Sequence, residues 1–167
     1  MKKNILIIGS LVLVAVLATG YYFLNKPLPS TQEELSSRKT VENYFIEHMN
    51  ASADEAKTMA SDGVILRLSP NSTLQGIIGN LYYYGFIDDQ IAFEKLLTET
   101  ADNTPGNESS IKVGENTIDV NSSYSLNYSM SDEEIADTLL NKAEFEKNFT
   151  RYNYLFMPND STNQYKN

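Results

Sequence analysis

Three groups of neighbouring carboxylates are the residues with the greatest capacity for chemistry. They are Asp88 with Asp89, Glu94 with Glu99, and Asp132 with Glu133 and Glu134. Acid–base cleavage of a glycosidic bond requires two carboxyl groups. One of them must keep its proton near neutral pH, which takes an apolar pocket that nothing in the sequence predicts. We interpret these carboxylates as helix caps, first-turn dipole partners and solvated side chains, and predict no catalytic residue.

The chain offers little to a metal ion or a cofactor. His48 is the single histidine, and there is no cysteine. A thiolate zinc site and a multi-histidine site are therefore excluded, and a Ser-His-Asp triad is disfavoured. No glycine-rich loop that cradles a phosphate is present. We predict no metal site and no cofactor.

Three consecutive tyrosines, Tyr82, Tyr83 and Tyr84, close a predicted helix just before Gly85. Successive residues cannot share one helix face, so we expect one ring to pack inward and the others to reach the surface. An exposed tyrosine ring can stack on a sugar. The alternative is that all three serve as core and interface aromatics.

An apolar N-terminal run predicts a membrane anchor. Lys2 and Lys3 precede the uncharged residues 5–24, which would give roughly 30 Å of helix, enough to cross a bilayer. The lysines place the N-terminus in the cytoplasm and the rest outside. We therefore predict a transmembrane signal anchor at residues 1–27. The alternative is a cleaved signal peptide, with small residues such as Ala18 at the cut.

Composition limits the remaining function classes. The length of 167 residues predicts one small globular domain beyond the anchor. The formal net charge of −9 argues against nucleic-acid binding, because phosphates need lysine and arginine to neutralise them. The same charge argues against electrostatic adhesion to anionic lipid.

Residues 28–62 are predicted to form a helical stalk. A helical stripe marks the main helix, namely Val41, Tyr44, Phe45, His48 and Met49. Asn50 ends this helix, and Ser52 with Glu55 forms a capping box for a second helical piece. The segment either stands apart as a stalk or packs on the domain, and the sequence leaves both alternatives open.

Residues 64–97 contain a strand, a tight turn and two capped helices with almost no spare residues. Ser72 is the predicted N-cap of the first helix, and Gly85 ends it. Asp88 or Asp89 caps the second helix. Their apolar residues are Leu74, Ile77, Ile78, Leu81, Ile91, Phe93, Leu96 and Leu97.

The remaining chain is predicted to add strands and one helix. Ile111 and Val113 pair with Ile118 and Val120 in a hairpin. Further predicted features are a strand with Tyr124, Leu126 and Tyr128, a helix opened by Ser131, the pair Phe145 and Phe149, a last strand stopped by Pro158, and a disordered tail at residues 159–167.

Several of these segments carry a family resemblance. They are Leu68-Ser69-Pro70-Asn71-Ser72, Gly85-Phe86-Ile87-Asp88, Ile91-Ala92-Phe93, and the helix start from Met130 to Ile135. With the strand from Tyr124, they resemble the LysM-like N-terminal domain of the endolytic murein transglycosylase family (MltG, also called YceG-like). The family's catalytic domain has no counterpart here, and Asn71 stands where its turn glycine is usual.

The resemblance implies an α+β fold, with an N-terminal transmembrane helix followed by a small LysM-like βααβ domain at residues 63–158, a further helix and short strands. It implies a non-catalytic cell-envelope module whose partners are peptidoglycan glycan strands or cell-wall synthesis proteins. The glycan-contact candidates are Asn71, Tyr82, Tyr83 and Tyr84. The alternatives are a truncated murein transglycosylase and a membrane-bound interaction scaffold that pairs through the stripe from Val41 to Met49.

Overall fold

The computed structural model describes residues 38–104, 106, 109–145 and 154–159. These residues belong to the compact unit Arg38–Asn167. The predicted anchor at residues 1–27, the start of the predicted stalk and the tail from residue 160 lie outside the described residues. Within the described ranges, no helix is both long and apolar enough to cross a membrane.

The described part of the chain is α+β, with five helices and six strands. In chain order the elements are α1 Val41–Met49, α2 Ala53–Ser61, β1 Val64–Leu68, α3 Leu74–Tyr83, α4 Gln90–Glu99, β2 Ile111–Val113, β3 Asn116–Ile118, β4 Ser122–Leu126, α5 Asp132–Asn141, β5 Glu144–Phe145 and β6 Phe156–Pro158.

A four-stranded antiparallel sheet forms the centre of the fold, in the order β5-β4-β1-β6. Leu66 of β1 lies opposite Tyr124 of β4 on one side and Phe156 of β6 on the other. All three side chains are fully buried. β2 and β3 form a separate hairpin, in which Ile111 lies opposite Ile118. The interior strand β1 thus contributes buried residues to the core and pairs with a strand on each side.

The predicted fold class, a transmembrane helix followed by a LysM-like βααβ domain, is wrong. The described helices have nine or ten residues each, and none of them could span a membrane. The sheet also has more strands than the two of a βααβ layer, because β1 has a partner on each edge. Leu66 and Arg67 point to opposite faces of β1, and both are buried. A strand buried on both faces must pair its backbone groups on both edges, and β4 and β6 meet that need.

The described part of the predicted stalk packs on the domain. Val41, Tyr44 and Phe45 of α1 are buried in the same core as the sheet. The Tyr44 hydroxyl accepts a hydrogen bond from the backbone N–H of Leu155 at 2.7 Å, and its ring meets that of Phe156 edge-on at 5.3 Å. The helical stripe is therefore the core face of α1, and not a surface that stands apart.

Local polar residues set the helix ends. Capping boxes open α2 at Ser52 and α5 at Ser131. The predicted N-cap of α3 was wrong by one residue, because Thr73 caps it. The backbone N–H of Ser72 instead closes a turn onto the carbonyl of Ser69 at 3.0 Å. Gly85 follows α3 with φ +77°, a conformation that favours glycine.

The two central helices bury most of their predicted apolar residues. Ile77, Ile78 and Leu81 of α3 are buried, as are Phe93 and Leu97 of α4. Ile91, by contrast, is 80% exposed. Positions 91 and 93 are about 200° apart around a helix, so the Ile91 side chain points outward when the Phe93 ring is buried.

The later strands differ from the prediction at their ends. Val113 pairs with Asn116, so the hairpin turn contains only two residues and β3 ends at Ile118. Phe145 lies in β5 and is 63% exposed, whereas Phe149 lies outside the described residues. Pro158 belongs to β6 and does not merely follow it. β6 lies at the edge of the sheet, where a missing backbone N–H is tolerated.

Alkaline pH is expected to unfold the protein partly through Tyr124. Burial raises the pKa of Tyr124 to about 12, while a tyrosine in an unfolded chain has a pKa near 10. The folded state therefore holds this proton more tightly. The resulting stability is complete below about pH 10 and falls by up to about 1.4 kcal/mol per pH unit between about 10 and 12. Urea unfolding at pH 9, 10 and 11 measures the slope.

Tyr124→Phe is the matched control for this slope. It removes the hydrogen bond that the hydroxyl donates to the Asp119 carbonyl at 2.8 Å, so its stability at neutral pH should fall by about 1 kcal/mol. Its stability should nevertheless decline less steeply with pH than that of the parent. Equal slopes in the two proteins would show that Tyr124 is not the group responsible.

Candidate functional site

The structure does not bring the four predicted glycan contacts together. Asn71 is exposed in the turn before α3, whereas the three tyrosines lie at the far end of that helix, about 15 Å away along its axis. As expected, one ring packs inward, and it is that of Tyr84. Tyr82 is half-buried, with the Arg38 guanidinium 4.0 Å from its ring centroid. Tyr83 is 41% exposed and is the only one of the three whose ring is broadly open to solvent.

Two shallow clefts adjoin each other on another surface of the domain. We name the first the Tyr128 cleft; it has a volume of about 360 Å³ and is lined by Ala60, Ser61, Asp62, Asn127, Tyr128 and Ser129. We name the second the α5 cleft; it has a volume of about 370 Å³ and is lined by Ser125, Asn127, Met130, Glu134, Thr138, Lys142 and Glu144. Asn127 lines both, so the two clefts meet at its side chain.

Tyr128 is a fixed aromatic platform in the first cleft. Its ring stacks on Phe86 with centroids 4.6 Å apart and planes 14° apart, and the residue is 46% exposed. Its hydroxyl accepts a hydrogen bond from the backbone N–H of Val41 and donates one to the carbonyl of Tyr84, both at 2.9 Å. Burial of the hydroxyl raises the pKa of Tyr128, and the nearby Glu42 carboxylate acts in the same direction. The two hydrogen bonds and the stack on Phe86 therefore hold the ring in one orientation.

Polar groups surround this platform. Asn127 accepts hydrogen bonds at Oδ1 from the backbone N–H of Ser129 at 2.9 Å and from its hydroxyl at 2.5 Å. This turn fixes the amide beside the ring. Asp62 lines the same cleft, and the Asn159 amide donates to its backbone carbonyl at 3.1 Å. An aromatic face flanked by an amide, a carboxylate and a hydroxyl can bind a ligand that is apolar on one face and polar at its edge.

The α5 cleft is lined by residues of α5, β4 and β5. Glu134 and Thr138 line it at positions i and i+4 of α5, together with Lys142, the C-cap residue that follows the helix. Glu134 accepts a hydrogen bond from the Ser131 backbone N–H at 2.8 Å, and Lys142 pairs with Asp137 at 2.7 Å. Both charged groups thus have partners in α5 or at its ends, and the cleft forms a polar extension of the first one.

Several of the carboxylates considered for catalysis have structural roles. Asp89 caps α4 by accepting from the N–H groups of Ile91 and Ala92, and Asp88 pairs with Arg38 at 3.0 Å. Glu99 pairs with Lys95 at 3.5 Å. Within the described ranges, no group of three histidine, aspartate or glutamate side chains could hold a metal ion.

One carboxylate has a perturbed pKa. Partial burial raises the pKa of Asp132, and the negative charges of Asp88, Glu133 and Asp89 raise it further. This residue opens α5 and does not line either cleft. The pKa of Asp132 is therefore raised first by burial and then by the neighbouring carboxylates, at a position outside both clefts.

The sequence interpretation missed the residues of the Tyr128 cleft. Tyr128 was predicted as a strand residue, because it continues the alternation of Tyr124 and Leu126. β4 ends at Leu126, and Asn127 begins a turn through its own side chain. Asn127 carries a usable signal, since an asparagine side chain can accept from the backbone N–H two residues on and so form an Asx turn.

Comparison with known proteins finds no match. No family model, no curated protein and no solved structure is similar to this chain. The resemblance of residues 64–97 to the murein transglycosylases is therefore supported only by the residues quoted above, and the function must be inferred from the chain itself.

Removing the Tyr128 hydroxyl should lower stability. Tyr128→Phe keeps the ring but leaves the N–H of Val41 and the carbonyl of Tyr84 without their partner, which should cost about 1–2 kcal/mol in the free energy of unfolding. Tyr83→Phe is the matched control, because Tyr83 is at the surface, and it should change stability by less than about 0.5 kcal/mol. Urea denaturation checks both variants, and equal small effects would contradict the bridging role.

Proposed function

We propose that this protein is a non-catalytic extracytoplasmic module of the cell envelope that binds peptidoglycan glycan strands through the Tyr128 cleft. The observation that carries the proposal is the platform itself, a fixed and half-exposed tyrosine ring beside the amide of Asn127 and the carboxylate of Asp62. A sugar ring presents C–H groups on its face and hydroxyl or acetamido groups at its edge. The cleft offers a complementary surface to each.

The shape of the site supports a polymer ligand. The Tyr128 cleft and the α5 cleft are shallow, open to solvent and joined at Asn127. A small-molecule site usually encloses its ligand in a largely apolar cavity. An open surface of this kind suits a chain that passes across it, with sugar units lying along consecutive clefts.

Two features of the sequence support the proposed location outside the cytoplasm, in the cell envelope. Lysines followed by the uncharged residues 5–24 favour export of the domain across a membrane. The resemblance of residues 64–97 to the murein transglycosylases favours the cell wall as the site of action. The net charge of −9 argues against nucleic acids as competing polymer ligands.

The proposal does not include catalysis. Four of the carboxylates considered for acid–base chemistry are engaged in caps and ion pairs, namely Asp89 and Glu134 at helix starts, Asp88 with Arg38, and Glu99 with Lys95. Glycosidic cleavage needs an acid and a second carboxyl group that face each other across a bound sugar. Binding is therefore the activity that the described residues support.

Retention on purified peptidoglycan tests the proposal. The full chain in detergent solution should co-sediment with sacculi. Tyr128→Leu, which removes the aromatic face, should reduce the affinity roughly threefold to tenfold. Ser61→Trp should reduce it as well, because Ser61 is an exposed residue at the edge of the Tyr128 cleft and a bulky ring there would fill the site. Circular dichroism confirms that each variant is folded.

Variants at exposed residues outside both clefts are the matched controls. Asn71→Ala changes a candidate predicted from sequence, and Ile91→Ala changes an apolar side chain that is 80% exposed, so both should leave retention unchanged. Retention of the parent chain no greater than that of an acidic protein of similar size would refute glycan binding. Loss of retention in the controls, with none in Tyr128→Leu, would refute the assignment of the site.

A further inference from the structure

The residues that lead into α1 lie across the end of α3 and form a strap, defined here as Arg38 to Val41. The Arg38 guanidinium bonds the Asp88 carboxylate at 3.0 Å and the Asp88 carbonyl at 3.2 Å. The Lys39 backbone N–H donates to the carbonyl of Tyr83 at 3.2 Å. The strap thus links α1 to the end of α3 and to the turn before α4.

The strap ends on the platform of the Tyr128 cleft. The N–H of Val41, the first residue of α1, is one of the donors that a helix leaves without an internal partner. It donates to the Tyr128 hydroxyl, which in turn donates to the carbonyl of Tyr84, the C-cap of α3. A displacement of the strap must therefore break or rearrange the hydrogen bonds that hold this ring.

The buried Arg38 side chain lacks one of the hydrogen bonds that its guanidinium could form. Its side chain is only 9% exposed, while its partner Asp88 is 88% exposed. Its Nε atom is buried and has no hydrogen-bond partner among the described residues. A buried donor without a partner opposes burial of the group. The free-energy difference between the docked strap and a released strap is therefore smaller than it would be if Nε also had a hydrogen-bond partner.

We propose that the strap couples the N-terminal segment of the chain to the Tyr128 cleft, so that release of Arg38 weakens ligand binding and ligand binding holds the strap in place. The coupling rests on the proposed glycan-binding function only for the identity of the ligand. Thermodynamic linkage makes the effect reciprocal, since a ligand that favours the docked strap must itself be favoured by it. Tension on the N-terminal segment would then reduce the affinity of the cleft.

The test compares Arg38→Ala with Lys95→Ala in the full chain in detergent solution. Both variants remove one cation, but Lys95 belongs to an exposed ion pair with Glu99 within α4. Amide hydrogen exchange, followed by NMR, reports on Asn127, Tyr128 and Ser129. Arg38→Ala should accelerate their exchange roughly threefold to tenfold, and Lys95→Ala should leave it unchanged.

A soluble ligand tests the reciprocal effect. Chitotetraose, a β-1,4-linked oligomer of N-acetylglucosamine, should slow exchange at the Lys39 and Val41 amides of the parent chain. It should bind Arg38→Ala roughly threefold to tenfold more weakly than Lys95→Ala. Tyr128→Phe, which lacks the hydroxyl, should lose the protection at Val41.

The outcomes separate the two proposals. If the parent does not bind chitotetraose or sacculi, yet Arg38→Ala accelerates exchange in the cleft, the glycan assignment fails and the coupling stands. If the parent binds the oligomer but Arg38→Ala and Lys95→Ala behave alike in exchange and in affinity, the coupling is refuted. Equal exchange in the two variants refutes it whether or not the ligand binds.

Discussion

The hydroxyl of Tyr128 joins two helix ends that would otherwise carry unpaired backbone groups. It accepts from the N–H that opens α1 and donates to the carbonyl that closes α3, both at 2.9 Å. A helix end that is buried without such partners is unfavourable, because each lost hydrogen bond leaves a polar group that water cannot reach. One side chain from the turn after β4 therefore determines how α1 meets α3.

The aromatic rings around this bridge tie the helices to the sheet. Phe86 stacks on Tyr128 at 4.6 Å and also contacts Phe156 of β6 at 5.7 Å. The ring of Tyr84 meets Phe156 at 5.2 Å and Tyr44 of α1 at 5.5 Å, in each case edge-on. Edge-on and offset contacts of this kind stabilise a core beyond the burial of area alone. The short strand β6 depends on them, since it pairs with only three residues of β1.

Local patterns in the sequence predicted the elements better than their assembly. Strand β1 begins at Val64 as predicted, and Ser52 and Ser131 open helices as expected, because alternation and capping act over a few residues. The placement of α1 on the core could not be derived in this way. It depends on contacts such as that between Tyr44 and Leu155, which lie 111 positions apart in the chain. The Tyr128 cleft is of the same kind, since Asp62 and Tyr128 meet only after β1 and β4 have paired.

Tyr128 both lines the cleft and supports the fold, and this double role affects how the cleft would bind a ligand. The outer part of Tyr128 faces the cleft, while its hydroxyl and inner ring face serve the fold. A ligand on the exposed part therefore meets a side chain whose rotamer is already fixed, and it loses little entropy in ordering it. The same fixation ties the affinity of the cleft to the stability of the α1–α3 junction. Because the cleft depends in this way on the strap from Arg38 to Val41, a displacement of the strap alters the cleft, whereas a binding site on an isolated loop would not respond to it.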